Sequence, residues 1–187
     1  MGKLETKVNI HIPIRGHLSK YCFSVNDKVK SVTDTEIDFG FKSFQIPHIT
    51  IYMGYLKSDA IFEELLERLY LYSSKISAFE ITFTEPYLKE PKENYLFLDT
   101  YQSEKIIKLK QEVKDLIGDL IEPLEWDVVA EPPHITLAYI KRNQAAIKQL
   151  LRYFTPPPKL FANAIELSFC GPRGSCLGTI KSIELQS

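Results

Sequence analysis

The sequence predicts a mixed α and β fold built from two similar halves, and three observations predict it. The residues Pro-His-Ile-Thr occur twice, at 47–50 and again at 133–136, a spacing of 86 positions. Shifting the chain by the same 86 positions also lays SAFEITFTEP (77–86) on NAIELSFCGP (163–172) without a gap, and VNIHIPI (8–14) on NYLFLDT (94–100). Ala78 then meets Ala164, Glu80 meets Glu166, Phe83 meets Phe169 and Pro86 meets Pro172. Each half reads as strand, helix, strand, helix, strand, so the recurrence belongs to a duplicated unit.

The elements follow in order. Val8, Ile10, Ile12 and Ile14 alternate over 6–14, the pattern of a half-buried strand. Residues 17–31 carry only a weak helical pattern and are read as a weak helix or irregular crossover. A strand over 47–53 starts behind a proline. Ser58 is placed to cap a helix in which Ile61, Leu65 and Leu69 recur every four residues. Strands at 76–84 and 94–100 follow. The second half repeats the order, with a helix at about 103–121 striped by Ile106, Leu109, Val113, Leu116 and Leu120. A strand covers 133–140, a helix from Gln144 is stopped by the prolines of TPPP (155–158), and strands at 160–169 and 176–185 close the chain. By itself, strand–helix alternation favours a parallel sheet.

Composition narrows the function. The chain has 187 residues, 44% hydrophobic and 25% charged, which is globular and excludes disorder. A formal net charge of −1 excludes the strongly basic surface that grips long nucleic acid through many phosphates. The start lacks a secretory pattern, no apolar run is long enough to cross a bilayer, and three cysteines (Cys22, Cys170, Cys176) read as reduced thiols. The expectation is a cytoplasmic protein, monomeric and away from membranes, with no metal and no cofactor.

In a strand, residues two apart share a face. His48 therefore points with Thr50 and His134 with Thr136, opposite Ile49 and Ile135. Two such strands brought together would set two imidazoles and two hydroxyls around one pocket. An imidazole titrates near pH ~6.5, so one ring can accept a proton from water while the other donates one to a leaving oxygen. The threonines can donate hydrogen bonds to the oxygens of an anion between them. That set suits cleavage of a phosphodiester.

Paired His-x-Thr motifs on duplicated halves resemble the 2H phosphoesterases, the family that includes the RNA 2′,3′-cyclic phosphodiesterases and the 2′-5′ RNA ligase-like proteins. His48-Ile49-Thr50 and His134-Ile135-Thr136, with their leading prolines and their separation, carry the resemblance. It implies an α+β fold of two pseudo-symmetric lobes, each an antiparallel sheet flanked by helices, around a central cleft. It thereby displaces the parallel default. It further implies metal-free hydrolysis of a 2′,3′-cyclic phosphate or a 2′-5′ linkage, with both histidines catalytic and both threonines holding phosphate. The expected organisation is one domain over 1–187, with repeats 6–86 and 94–172 and a last strand at 176–185. Many relatives carry arginine three residues after the second threonine, where this chain has Tyr139, and IYMG after the first motif is one residue shorter than the common pattern.

Substrate candidates beyond the motifs are Tyr52, which alternation places on the face of His48 and Thr50, together with Tyr139, Trp126, Phe44 and Arg173. The last lies in the glycine-rich turn CGPRGSCLG. Arg15 is a second candidate phosphate clamp. His11 is expected on the solvent side of the first strand. His17 and Ser19 share the His-x-Ser spacing but lack the proline and the repeat, and read as a decoy. A binding module that keeps the cleft without turnover is the alternative from another class, and a cyclic oligonucleotide or 2′-5′ oligoadenylate is the alternative substrate.

Overall fold

The computed structural model describes residues 6–40, 43–92, 94–124 and 128–186. The first repeat supplies β1 (Lys7–Pro13), α1 (Gly16–Lys30), β2 (Gln45–Ile46), β3 (His48–Leu56), α2 (Phe62–Ser73) and β4 (Phe79–Phe83). β5 (Tyr87–Leu88) lies between the repeats; the second supplies β6 (Tyr95–Tyr101), α3 (Glu104–Ile117), β7 (Ile121–Pro123), β8 (His134–Tyr139), α4 (Gln144–Leu151), β9 (Leu160–Ala162) and β10 (Ala164–Cys170), and β11 (Cys176–Glu184) closes the chain. The fold is α+β. Among the described residues no helix is long and apolar enough to cross a membrane.

The strands lie in the order β2-β11-β10-β1-β3-β8-β6-β4-β9, with β5 beside β6 and β7 beside β3. Every ladder between these strands is antiparallel, so the parallel arrangement favoured by alternation alone is corrected and the antiparallel one holds. The reason is local: α1 carries the chain back to β3, which runs against β1 as its immediate neighbour.

The repeat is visible in the order itself. A shift of 86 residues carries β1 onto β6, β3 onto β8 and β4 onto β10, so β10-β1-β3 and β8-β6-β4 are mirror readings of one pattern. Each repeat therefore lends its later strand to the first strand of the other. The halves meet where β3 pairs with β8 at Ile49 and Ile135, which are equivalent residues, so an approximate twofold axis passes between them.

Both halves also share a defect. The β1–β3 register slips between Ile10 and His11, leaving Ile51 as an extra residue, and the β6–β8 register slips between Leu96 and Phe97, leaving Leu137. These β-bulges sit at equivalent positions and turn the chain beyond each motif by one residue.

One face of the sheet is closed by helices, with α1 under β8 and α3 under β3. The weak pattern over 17–31 is in fact a full helix, α1, whose buried stripe is Leu18, Cys22, Val25, Asn26 and Val29. Cys22 and Asn26 obscured that stripe because neither reads as apolar helix core. Ser58 accepts a hydrogen bond from the Ala60 amide at 3.2 Å and caps a 3₁₀ turn leading into α2, where Leu65 and Leu69 are buried. The strand expected over 160–169 is two strands, because β9 pairs with β4 whereas β10 pairs with β1 and β11.

Asn26 ties this layer to the sheet. Its side-chain amide donates to the carbonyls of Ile37 and Leu137, both at 2.8 Å, and its oxygen accepts from the Phe39 amide at 3.2 Å. The residue is fully buried, and Leu137 is the bulged residue whose carbonyl would otherwise be left unpaired. Replacing Asn26 by alanine should lower stability by about 2–4 kcal/mol, seen as a lower urea midpoint at unchanged m value. A midpoint within error of the parent would contradict this.

Candidate active site

Proline has no amide hydrogen for a ladder, so Pro47 and Pro133 fall just before β3 and β8, whose first residues are His48 and His134. Each ring is then fixed the same way. His48 Nδ1 lies 2.9 Å from the Ile46 carbonyl oxygen, and His134 Nδ1 lies 2.8 Å from that of Pro132. A carbonyl only accepts, so each Nδ1 carries a hydrogen and each Nε2 is left for chemistry. Ile49 and Ile135, on the opposite face, are fully buried in the core.

The two motifs line one cavity of about 550 Å³, in which His48, Thr50, His134 and Thr136 all take part. Asn9 on β1 organises the first half of it. Its Nδ2 donates to the Gly174 carbonyl at 3.2 Å and to Thr50 Oγ1 at 3.3 Å, and lies 3.4 Å from His48 Nε2. By filling an acceptor site on Thr50, Asn9 leaves the Thr50 hydrogen free to point into the cavity. Lys7, Lys89, Lys110 and Arg173 also line it, against one carboxylate, Glu131, among the described residues. That excess of positive charge favours an anion.

Both rings resist protonation. Burial is the main cause for His48, followed by the nearby His11; the Ile46 and Gly174 carbonyls oppose it, His134 adds to it, and its pKa falls from 6.5 to about 3. Burial also lowers His134, against the Pro132 carbonyl and the charges of Glu131 and Asp99, which favour the cation, while Lys110 disfavours it. Among the described residues no three His, Cys, Asp or Glu side chains converge to hold a metal ion.

The other candidates scatter. Tyr52 is 5% exposed and packed in the core, not beside Thr50. The bulge at Ile51 is the reason: it inverts the alternation, and Met53 reaches the cavity in its place. Phe44 is 71% exposed and does not line the cavity, because its backbone at φ 57° turns it outward. Tyr139, the repeat equivalent of Met53, lies under Arg173, whose guanidinium carbon is 4.2 Å from the ring centre, and against Tyr95 at 4.8 Å. Arg173 itself lines the cavity and donates from Nε to Glu36 at 2.7 Å. The turn that carries it is thus part of the cavity wall, and Gly174 there sits at φ +75° with Met53 only 3.2 Å from where a Cβ would stand. Arg15 pairs with Glu166 and Ser182 Oγ away from the cavity. His11 is fully buried, correcting its expected exposure, since the side chains of His48, Glu166 and Cys176 pack around its ring. His17 is exposed on α1. Trp126 lies outside the described residues.

Sequence reasoning missed Asn9, Met53, Lys110 and Phe97. Phe97 stacks on His134 with ring centres 3.9 Å apart and planes 21° apart. Its signal was available, because the 86-residue shift places it on His11, whose ring lies 5.3 Å from that of His48.

Comparison with known proteins follows the same lines. Residues 29–169 match the family model of the 2′-5′ RNA ligase superfamily. The fold matches Escherichia coli LigT complexed with phosphate (13% identity, TM-score 0.65, covering 98% of this chain and 99% of that one). It also matches TT0787 of Thermus thermophilus (14%, 0.61, 97% and 98%) and Usb1 of Kluyveromyces marxianus (9%, 0.55, 97% and 99%). No curated protein matches in sequence.

The depressed histidine has a consequence for stability. His48 binds its proton less readily folded than unfolded, so the unfolded chain gains the proton first and stability falls as pH drops from 6.5 toward about 3. Glu166, whose folded pKa is below its ordinary 4.5, adds its own loss only as pH falls below 4.5. Urea unfolding between about pH 6.5 and 5 should therefore show stability declining on acidification, with a shallower slope in His48→Gln. An identical slope in that variant would refute the assignment.

Proposed function

The chain belongs to the 2′-5′ RNA ligase superfamily of 2H phosphoesterases, and from that premise we propose that it hydrolyses a small or terminal RNA-type phosphodiester, either a 2′,3′-cyclic phosphate or a 2′-5′ linkage, without a metal. The observation that carries this reading is that both histidines and both threonines line one cavity about the axis between Ile49 and Ile135. Residues 1–187 act as one unit of two lobes, a cytoplasmic monomer.

The chemistry follows from the groups present. A phosphate held between the motifs accepts hydrogen bonds from Thr50 and Thr136 at its non-bridging oxygens. Its negative charge counters the burial that keeps both rings neutral and raises their proton affinity, so an imidazole–imidazolium pair forms when substrate arrives. One Nε2 then takes a proton from the attacking water and the other gives one to the departing ribose oxygen. Proton count and charge close over the cycle once the rings re-equilibrate. The cations of the wall draw the anion in, and Tyr95 offers a ring to a base.

The substrate is small in this reading. LigT is known with 3′-AMP and with ATP, and nucleotides of that size suit a cavity of about 550 Å³. The net charge of −1 is in keeping with a nucleotide or one RNA end as the partner.

Turnover of nucleoside 2′,3′-cyclic phosphates and 2′-5′-linked dinucleotides in EDTA tests the proposal. His48→Ala and His134→Ala should each cost about 10²–10⁴ in kcat, while Thr50→Val and Thr136→Val should raise KM. Turnover that survives both histidine substitutions would defeat it, and binding without product across the panel would point to a silent module.

A further inference from the structure

We propose that His11, anchored by Glu166, is a positioning residue for His48, and that this backing makes His48 the proton acceptor of the pair and His134 the donor. The assignment of roles rests on the phosphodiesterase reading above; the backing itself rests on geometry alone.

The two motifs look alike from the cavity and differ behind it. Behind His134 lies Phe97, flat against the ring at 3.9 Å. Behind His48, at the equivalent position of β1, lies His11, fully buried and edge-on, with ring centres 5.3 Å apart and planes at 68°. Its Nε2 is 3.5 Å from Glu166 Oε2. Glu166 is 5% exposed; it accepts from Thr179 Oγ1 at 2.7 Å and from Arg15. Burial would raise its pKa, but His11, Thr179 and Arg15 hold it down to about 2, so it is a carboxylate. His11 Nε2 faces that carboxylate at ion-pair distance, outside hydrogen-bond geometry. His11 Nδ1 faces the Asn9 carbonyl at 3.4 Å and Cys176 Sγ at 3.5 Å. Among the described residues, the titratable groups against His11 are Glu166 from β10, Cys176 from β11 and His48 from β3.

The fold does not demand this pair. Phenylalanine fills the same site in the other half, and Glu80, the repeat equivalent of Glu166, is exposed and paired with Lys159 at 2.7 Å. A buried polar pair is seldom superior to an apolar one for stability alone. What it changes is the electrostatics of His48. The edge of the His11 ring, set against His48 with centres 5.3 Å apart, disfavours a positive charge there, whereas the π face of Phe97 attracts one on His134. His11 touches neither the cavity nor the anion; it acts through His48.

The test makes the first half resemble the second. In His11→Phe, ring NMR should show the pH at which His48 gains its proton rising by about one unit, with His134 unmoved. The acid limb of the kcat/KM profile should move up with it while KM holds. His11→Gln keeps a polar group opposite Glu166 without the ring beside His48, should give the same rise, and replaces the first variant if that one does not fold. A His48 midpoint that stays in place, or His134 moving equally, overturns the inference. The NMR arm needs no substrate, so absence of turnover on every phosphodiester would count against the proposed function and leave this result standing.

Discussion

Ile49 pairs with Ile135 at the centre of the sheet, and because the two are equivalent residues of the repeat, the approximate twofold axis must run between them. Everything at the site follows from that contact. Each isoleucine is flanked by a histidine and a threonine on the opposite face of its strand, so joining the isoleucines in the core forces four polar groups to converge above it. The apolar side of the pairing supplies the energy, both side chains being fully buried. The polar side inherits the geometry.

Symmetry brings the groups together, but the proton transfer proposed for them needs them to differ. The halves have diverged where a strand face can change without disturbing the ladder: His11 against Phe97, Asn9 against Tyr95, Met53 against Tyr139. The equivalent bulges at Ile51 and Leu137 were kept, because they set which residues beyond the motif reach the cavity. Burial penalises the charged form of both rings, and in the proposed mechanism an arriving anion offsets that penalty, so ionisation would be tied to occupancy.

Much of this was legible in the residues. The repeated Pro-His-Ile-Thr and its 86-residue spacing located the duplicated unit and its two strands, since a one-in-two alternation is a strong constraint. Strand direction was not legible from alternation, because a helix between two strands permits either sense. Tyr52 misled because a bulge leaves no mark in composition; only the partner strand reveals the slipped register. His11 misled because a polar strand face can be covered by side chains that are distant in sequence, as Glu166 and Cys176 cover this ring. The helix α1 hid because Asn26 serves as core through hydrogen bonds to three backbone groups.

The central claim is that two imidazoles from opposite halves grip one anion. Titrating inorganic phosphate into the protein and following the ring signals of His48 and His134 by NMR tests it most directly. One shared dissociation constant for both rings, with both gaining proton affinity as phosphate binds, is the result this account predicts. Rings that respond with separate constants, or one ring that does not respond at all, would contradict it.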